Sequence, residues 1–276
     1  MAITAQDVNK LRQMTGAGMM DCKKALTEAG GDFDTAIEIL RKKGQKVSAA
    51  RSDRETNEGS VFVRTSDDHK TGVIVAVGCE TDFVAKNDEF QALGNAIADL
   101  AYQNKPATIE QLKALQLGDL TVADKLVEMI GKIGEKIEIT AFEIVEGEKV
   151  ISYIHMGAKL GVLVAMVNTG DADVSEAGRD VAMQIAAMNP VALDKDGVDQ
   201  KVIQQEIEIG MDQARQEGKP EEMLERIATG KLNKFFKDNT LLSQTFVKDN
   251  SMTIQQYLDS VNKGLTVSAF KRVALG

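Results

Sequence analysis

Residues 72–77 read Gly-Val-Ile-Val-Ala-Val, and residues 161–167 read Gly-Val-Leu-Val-Ala-Met-Val. Short apolar runs that are rich in β-branched side chains are typical of buried β-strands. A further β-like run precedes each of them, at residues 61–63 and at residues 150–154. The two leading glycines are 89 residues apart, so the same strand–turn–strand pattern occurs twice in the chain.

A helical pattern follows each pair of predicted strands, near residues 88–102 and near residues 177–188. The order of strand, turn, apolar strand and helix is therefore the same in both copies. We predict an α+β protein with a duplicated core, in which two related subdomains have antiparallel sheets, each covered by helix on one face. The first core subdomain takes residues 55–145, and the second takes residues 146–197 together with residues 238–276.

The first 54 residues have the pattern of three short helices. Thr4 and Asp32 are plausible N-caps for the first and third helices, and Gly44 is expected to end the third. The apolar residues at helical spacing are Val8, Leu11 and Met14, then Met19, Cys22 and Leu26, and finally Phe33, Ala36, Ile37 and Leu40. Helices this short close only a small core, of the size of a ubiquitin-associated (UBA) module. We predict a UBA-like helical module at residues 1–54, of which residues 42–54 are a mobile basic linker.

Residues 198–237 predict an inserted antiparallel helical hairpin with the polar turn Gly218-Lys219-Pro220 at its tip. Its apolar positions at helical spacing are Val202, Ile203, Ile207 and Met211, then Met223, Leu224, Ile227 and Leu232. The charged outer faces suit a projecting coiled coil or a dimer surface, and packing within the chain is equally compatible with them. One more helix at residues 253–261 and a closing strand at residues 267–275 complete the prediction.

Composition limits the classes of function. The chain has 276 residues, of which 43% are hydrophobic, and a net charge of −9, with a local +3 over residues 1–54. An acidic chain repels phosphate backbones, so direct nucleic-acid binding is not expected. No apolar run approaches the roughly 20 residues that span a bilayer, and no secretory signal is recognisable. The two distant cysteines, Cys22 and Cys79, suit a reducing compartment, so we expect a cytoplasmic protein that binds no membrane.

Residues for covalent catalysis or metal binding are scarce. The chain has two histidines, His69 and His155, and it contains neither a Gly-x-Ser-x-Gly nor a His-Glu-x-x-His motif. Residues 16–21, Gly-Ala-Gly-Met-Met-Asp, match only half of a dinucleotide fingerprint and follow a helical stretch. The acidic clusters at residues 171–175 and 194–197 lack the glutamate that completes a calcium loop. We therefore expect no cofactor, no bound metal and no enzyme activity.

The segment directly after the first apolar strand is unlike ordinary core. Residues 79–88 read Cys-Glu-Thr-Asp-Phe-Val-Ala-Lys-Asn-Asp. Thr81 or Asp82 can cap a helical turn at the end of the strand. A phenylalanine directly after a capping residue, here Phe83, is often buried as a staple, but the same geometry can expose it as a wedge beside a carboxylate. The residue pattern alone does not separate these two interpretations.

Three stretches carry a resemblance to a known family. Residues 11–26 read Leu-Arg-Gln-Met-Thr-Gly-Ala-Gly-Met-Met-Asp-Cys-Lys-Lys-Ala-Leu, and residues 153–163 read Tyr-Ile-His-Met-Gly-Ala-Lys-Leu-Gly-Val-Leu. Residues 11–26 resemble the N-terminal signature of bacterial translation elongation factor Ts, and residues 79–87 resemble its second signature. Residues 153–163 resemble the corresponding turn of its second subdomain. The predicted order of helical module, duplicated core and hairpin agrees with that family. One departure is Ala76 and Gly78, where the family usually has glutamate and asparagine.

This resemblance implies a guanine-nucleotide exchange factor for elongation factor Tu. In that family the segment that corresponds to Thr81, Asp82, Phe83 and Val84 lies against the GTPase domain of the partner, near the helix beside its bound magnesium. Phe83 would intrude between partner side chains and shift that helix. The magnesium would then lose its position, and GDP would be released so that GTP can bind. The exchange factor itself would need no cofactor and would carry out no covalent chemistry.

The resemblance also implies a wider contact with the partner, through Leu11, Met19, Met20, Asn87, His155 and Gly157. The N-terminal module would hold another face of the GTPase domain, although one of its two adjacent methionines is expected to pack inside the module. The turn around His155 would face the third domain of the partner, and a homodimer through residues 198–237 is one alternative for the hairpin. The main competing hypothesis is a UBA-type binding protein that recognises helices without altering a nucleotide site.

Overall fold

The computed structural model describes residues 3–276 and has the predicted α+β architecture. The N-terminal part is helical, with α1 (Ala5–Thr15), α2 (Met19–Glu28) and α3 (Phe33–Ala50). Thr4 caps α1 in a reciprocal capping box with Asp7, and Asp32 caps α3 through the amide of Thr35, so both predicted N-caps are confirmed. The small core of this part contains fully buried Leu11, Cys22 and Leu26 and other apolar residues.

A three-stranded antiparallel sheet organises the first half of the core. The elements are β1 (Glu58–Thr65), β2 (Thr71–Cys79), α4 (Asp82–Ala85), α5 (Asp88–Asn104), α6 (Ile109–Ala114), β3 (Gln116–Leu117), β4 (Leu120–Thr121), α7 (Val122–Ile133) and β5 (Ile137–Glu146). The strand order is β1-β2-β5, with the apolar strand β2 in the centre. The third strand, β5, was not anticipated from the sequence pattern.

The second half repeats this plan around the central strand β7. Its elements are β6 (Lys149–Ile154), β7 (Leu160–Val167), α8 (Ser175–Met188), α9 (Gln200–Gln216), α10 (Glu221–Asn239), β8 (Thr245–Phe246), β9 (Asp249–Thr253), α11 (Ile254–Val261) and β10 (Thr266–Ala274). The antiparallel strand order is β10-β7-β6, and the hairpin β6–β7 corresponds to β1–β2.

The repeat extends further along the chain than the sequence similarity does. In each half a pair of short strands, β3 with β4 or β8 with β9, is followed by a helix whose N-cap is a threonine. The N-cap is Thr121 for α7 and Thr253 for α11. The third strand of each sheet, β5 or β10, comes next. The antiparallel hairpin α9–α10 is therefore an insertion in the second copy, between α8 and the short strands.

The two sheets pack face to face through positions that are 89 residues apart. A side chain at Gly72 would lie 2.8 Å from Val150 Cγ1, and one at Gly161 would lie 2.7 Å from both Ile74 Cδ1 and Val61 Cγ1. Leu163 covers Gly72 in the same way as Ile74 covers Gly161. Since the inner faces cover each other, helices cover only the outer faces, with α5 and α7 on one sheet and α8 and α11 on the other.

The expectation that Gly44 ends the third helix is wrong. Helix α3 continues to Ala50, so most of the predicted basic linker is helical. Gly44 is buried at the point where α3 crosses α7 at close range. A side chain at Gly131 of α7 would lie 2.8 Å from the Cα atom of Gly44. A glycine at such a crossing lets two helix backbones approach each other, and here it joins the N-terminal helices to the core.

The inserted hairpin has a narrow core of its own. Its buried residues are Gly210, Ala214, Leu224 and Ala228, and Gly210 lies against the backbone of Ala228. Ile209 and Met223 remain exposed on the hairpin. Within residues 3–276, no helix is both long and apolar enough to cross a membrane, and no cluster of three or more potential metal ligands occurs.

We predict that Gly131→Ala lowers the free energy of unfolding by about 1–3 kcal/mol, because the added methyl group would clash with the backbone of α3. Urea unfolding followed by circular dichroism measures the change. The matched control is Gly230→Ala in α10, where nothing lies within 4 Å of the added atom. That control should raise the free energy of unfolding by about 0.5–1 kcal/mol, since alanine favours a helix. Equal effects of the two substitutions would contradict the close crossing.

Candidate functional site

The chain turns sharply where β2 ends and forms one short helix before the long helix α5. Thr81 is the residue that caps this turn, and its hydroxyl accepts a hydrogen bond of 3.4 Å from the Val84 amide. Asn87 then caps α5 by accepting bonds from the amides of Glu89 and Phe90, at 2.9 and 3.3 Å. Two side-chain caps within seven residues define the path of this turn tightly.

The short helix α4 directs its side chains in opposite directions. Val84 and Ala85 are buried in the core that lies between β2 and α5. Phe83 is 82% exposed, so the interpretation as a buried staple is wrong and the exposed wedge is the observed state. An aromatic ring that is held in water by an anchored turn is available for contact with another molecule.

A carboxylate stands beside the exposed ring. Asp82 is exposed and pairs with Lys86 at 2.7 Å, across one turn of helix. The hydrogen bond from Lys86, together with the charge of its ammonium group, lowers the pKa of Asp82 below its ordinary value. Asp82 is therefore ionised at neutral pH, and Phe83 and this negative charge form one small surface.

The cysteine at the start of the turn is buried and unreactive. Cys79 at the end of β2 is fully buried, and its thiol donates a 3.1 Å hydrogen bond to the Thr81 carbonyl. Burial, followed by the nearby charge of Glu135, raises the pKa of the Cys79 thiol to about 12. A thiol of this kind is neutral at physiological pH and is not a nucleophile.

Two glutamates, one outside the turn and one within it, connect the turn to neighbouring segments. Glu135 accepts hydrogen bonds from the amide and hydroxyl of Thr81, and Glu80 accepts one of 2.6 Å from the amide of Lys136. Glu80 also pairs with Arg51, which follows α3. The hydrogen bond from Lys136 is the main reason why the pKa of Glu80 is lowered. Sequence reasoning missed Glu135 and Arg51, because neither carries a local motif and each is far along the chain from its partner.

The N-terminal helices expose methionines. Met19 and Met20 at the start of α2 are 50% and 62% exposed, so the expectation that one of them packs inside the module is wrong. Met14, which was expected on the inner side of α1, is exposed as well. Leu11, in contrast, is fully buried, and its side chain supports the module from within.

The turn between β6 and β7 is a third exposed feature. His155 is exposed, and its Nδ1 atom lies 2.9 Å from the Tyr153 hydroxyl. Gly157 has φ of +91°, a conformation that favours glycine and that reverses the chain here. Met156 between them is 92% exposed, and sequence reasoning did not single it out. A methionine at the tip of a predicted turn is the sequence feature that would have identified it.

Comparisons with known proteins agree over the whole chain. A model of the family "Elongation factor TS" matches residues 80–276. The protein named elongation factor Ts from Cytophaga hutchinsonii is 62% identical over 274 residues, which is 99% of each chain. Those of Amoebophilus asiaticus and Porphyromonas gingivalis are 60% and 52% identical, over 99–100% of both chains.

The chain belongs to the elongation factor Ts family. Membership makes it a translation elongation factor of the exchange-factor type, and the family implies binding to elongation factor Tu. The resemblance found in three short stretches of the sequence is thereby confirmed.

In this member of the elongation factor Ts family, the start of β1 lies between two of the exposed turns. Glu58 binds Lys159 at 2.6 Å, and the amide of Val61 donates to the Ala158 carbonyl at 2.7 Å, which holds the His155 turn. The charge of Glu58 also acts on Lys86 in the turn of Phe83. The N-terminal module meets the core where Gly16 lies against the side chain of Lys132 in α7, which also pairs with Glu89 at the beginning of α5. The exposed features are therefore attached to one continuous scaffold.

Proposed function

We propose that the chain is a guanine-nucleotide exchange factor that binds elongation factor Tu in its GDP-bound state and accelerates the release of GDP, so that GTP can bind. The observation that carries this proposal is Phe83, an exposed aromatic ring on an anchored turn with the ionised Asp82 beside it. Membership of the elongation factor Ts family supplies the partner. The chain contributes binding energy and geometry, and no covalent step is assigned to it.

The turn of residues 81–84 acts on the magnesium site of the partner. Thr81 and Val84 anchor the turn, so that Phe83 enters between side chains of the GTPase domain and displaces the helix beside the cation. Asp82 adds a negative charge at this contact. When the cation is displaced, the charge of the phosphates is no longer neutralised, and the affinity for the nucleotide falls.

Two further surfaces hold the partner while the nucleotide leaves. Met19 and Met20 contact a second face of the GTPase domain, and the turn with His155 and Gly157 contacts the third domain. Exposed methionines suit such a surface, because their flexible side chains adapt to an irregular apolar partner. Leu11 and Asn87 serve these contacts indirectly, since Leu11 packs beneath the helices of the module and Asn87 caps α5.

Exchange requires the coupling to be reciprocal. If the factor weakens the binding of nucleotide by some ratio, nucleotide weakens the binding of the factor by the same ratio. A coupling of about 3 kcal/mol changes each affinity by roughly two orders of magnitude. The factor therefore binds the nucleotide-bound partner transiently, and the incoming GTP expels it.

The domain boundaries belong to the same proposal. Residues 1–54 form a UBA-like module, residues 55–145 and residues 146–197 with 238–276 form the two core subdomains, and residues 198–237 form the inserted hairpin. We assign the hairpin to a contact with a second copy of the chain, because Ile209 and Met223 are exposed on it.

The substitutions Ile209→Glu and Met223→Glu should therefore reduce self-association. We expect the mass from light scattering at micromolar concentration to correspond to two chains for the parent and to one chain for the double variant. Val247→Glu, at an exposed apolar residue outside the hairpin, is the control and should leave the mass unchanged. A parent that stays monomeric at all concentrations would contradict the dimer.

Phe83→Ala should slow exchange more than it weakens binding, because the ring acts in the step that displaces the cation. Release of fluorescent GDP from elongation factor Tu measures exchange, and calorimetry with nucleotide-free partner measures affinity. We expect the maximal rate to fall by about 100-fold and the affinity by less than about tenfold, which corresponds to roughly 1.4 kcal/mol. Val247→Ala removes an exposed apolar group elsewhere and should change neither quantity. Equal losses in rate and affinity would show that Phe83 is only an anchor.

Asp82→Ala should impair the release of magnesium-bound GDP more than the release of magnesium-free GDP. The reason is that its charge acts near the cation, and a chelator removes the step that it assists. The comparison is the rate of GDP release with and without EDTA. Lys86→Ala breaks the same ion pair but keeps the carboxylate, so its magnesium-dependent defect should be small. The same defect of Asp82→Ala in both conditions would eliminate the role at the magnesium site.

A further inference from the structure

The turn that carries Phe83 depends on a carboxylate that lies 54 residues further along the chain. Glu135 accepts hydrogen bonds of 3.1 Å from the Thr81 amide and of 2.9 Å from the Thr81 hydroxyl. Glu135 lies directly after Gly134, the glycine that ends α7, and β5 begins two residues later at Ile137. It is half-buried, as Thr81 is, so these bonds are partly shielded from water.

The two bonds define the conformation of the cap. A hydroxyl group has one proton, and Thr81 directs it to Glu135. The lone pairs of the same oxygen are then free to accept from the Val84 amide, at 3.4 Å. Glu135 therefore acts on α4 through Thr81, because it holds the hydroxyl in the orientation that caps the helix.

Glu80 attaches the same turn to the end of α3 and, a second time, to the segment that carries Glu135. Its carboxylate accepts a hydrogen bond of 2.8 Å from Arg51 Nη1 and one of 2.6 Å from the Lys136 amide. The end of α3, the turn of residues 80–84 and the segment 134–136 are thereby joined in one network. Neither glutamate hydrogen-bonds to Asp82 or Phe83, which leaves both exposed side chains free for a partner.

A helix of four residues needs such support. A single helical turn is unstable alone, since its first hydrogen bond restricts several backbone dihedral angles at once. An exposed ring on a loose turn would lose entropy when it enters a partner, whereas a ring on an anchored turn has already lost it. The network therefore converts Phe83 from a mobile apolar group into an oriented one.

We propose that Glu135 is a positioning residue for Phe83, and that it sets the rate of exchange by holding the Thr81 cap. This inference rests on the proposed exchange function. Glu135 contributes nothing to partner affinity directly, because its carboxylate is engaged with Thr81.

Saturation kinetics of GDP release separate positioning from binding. Glu135→Ala should lower the maximal rate by about tenfold, as expected for the loss of hydrogen bonds to a charged group. The concentration for half-maximal rate should change by less than twofold. Glu135→Gln should recover most of the rate, because its amide oxygen still accepts from Thr81. An unchanged maximal rate, or a parallel loss of binding, would overturn the proposal.

Glu138→Ala is the matched control. Glu138 lies on β5, three residues beyond Glu135, and it also accepts a hydrogen bond from a threonine hydroxyl, that of Thr56 at 2.9 Å. Glu138 makes no hydrogen bond to Thr81. Its removal should leave the maximal rate unchanged, and a defect as large as that of Glu135→Ala would mean that any carboxylate near β5 matters equally.

A double variant tests whether Glu135 acts through the ring. In the background of Phe83→Ala, the substitution Glu135→Ala should cost no further rate, because the group that it positions is absent. An additional tenfold loss would overturn the proposal in favour of a general effect on the fold.

A measurement without the partner separates this inference from the exchange function. The chain has no tryptophan, so Phe83→Trp introduces one fluorophore at the site. Adding Glu135→Ala should lower the anisotropy of this tryptophan, and adding Glu138→Ala should not. If the parent fails to accelerate GDP release but the anisotropy falls as expected, the exchange function is wrong and the positioning is right. Unchanged anisotropy would overturn the positioning role.

Discussion

The close packing of two sheets through a glycine on each side is the constraint on which the rest of the structure depends. Leu163 covers Gly72, and Ile74 covers Gly161, at positions that the duplication relates by 89 residues. A larger residue at either glycine would separate the sheets. Because each inner face is covered by the other sheet, helices can bury their apolar sides only on the outer faces. The turns at the ends of the strands are then left at the surface.

The candidate site follows from this arrangement. Strand β2 lies at the centre of its sheet and ends at the buried Cys79, so the next residues must leave the core at once. Val84 returns to the core and fixes the turn from below, and Thr81 caps it from the side. Phe83 between them has no position in the interior. Exposure of a large aromatic side chain brings no advantage to the isolated chain, and we therefore propose that this residue contacts a partner.

The sequence predicted the repeated parts of the fold well, because periodicity and short turns are local properties. The strands around residues 72–77 and 161–167, both hairpin helices and the caps Thr4 and Asp32 are where the pattern indicated. Gly44 was misinterpreted because the need for a glycine there comes from its close contact with Gly131, which is 87 residues away in the chain. A glycine at a helix crossing and a glycine at a helix end look the same in one sequence.

The site was predictable only in part, for the same reason. The family resemblance marked residues 81–84, but the pattern of the residues alone favoured a buried Phe83, whereas the ring is exposed. Glu135 and Arg51 carried no signal, because their hydrogen bonds connect segments that only the tertiary fold brings together. Met156 was visible in the sequence, but its 92% exposure follows from the turn at Gly157.

The central claim is that the chain accelerates nucleotide exchange catalytically. The most direct test is the release of fluorescent GDP from elongation factor Tu in the presence of a substoichiometric amount of the chain and an excess of unlabelled nucleotide. We predict that one chain releases GDP from many partner molecules, at a rate proportional to the amount of chain. Release that stops after one partner per chain, or that is no faster than without the chain, would contradict the claim.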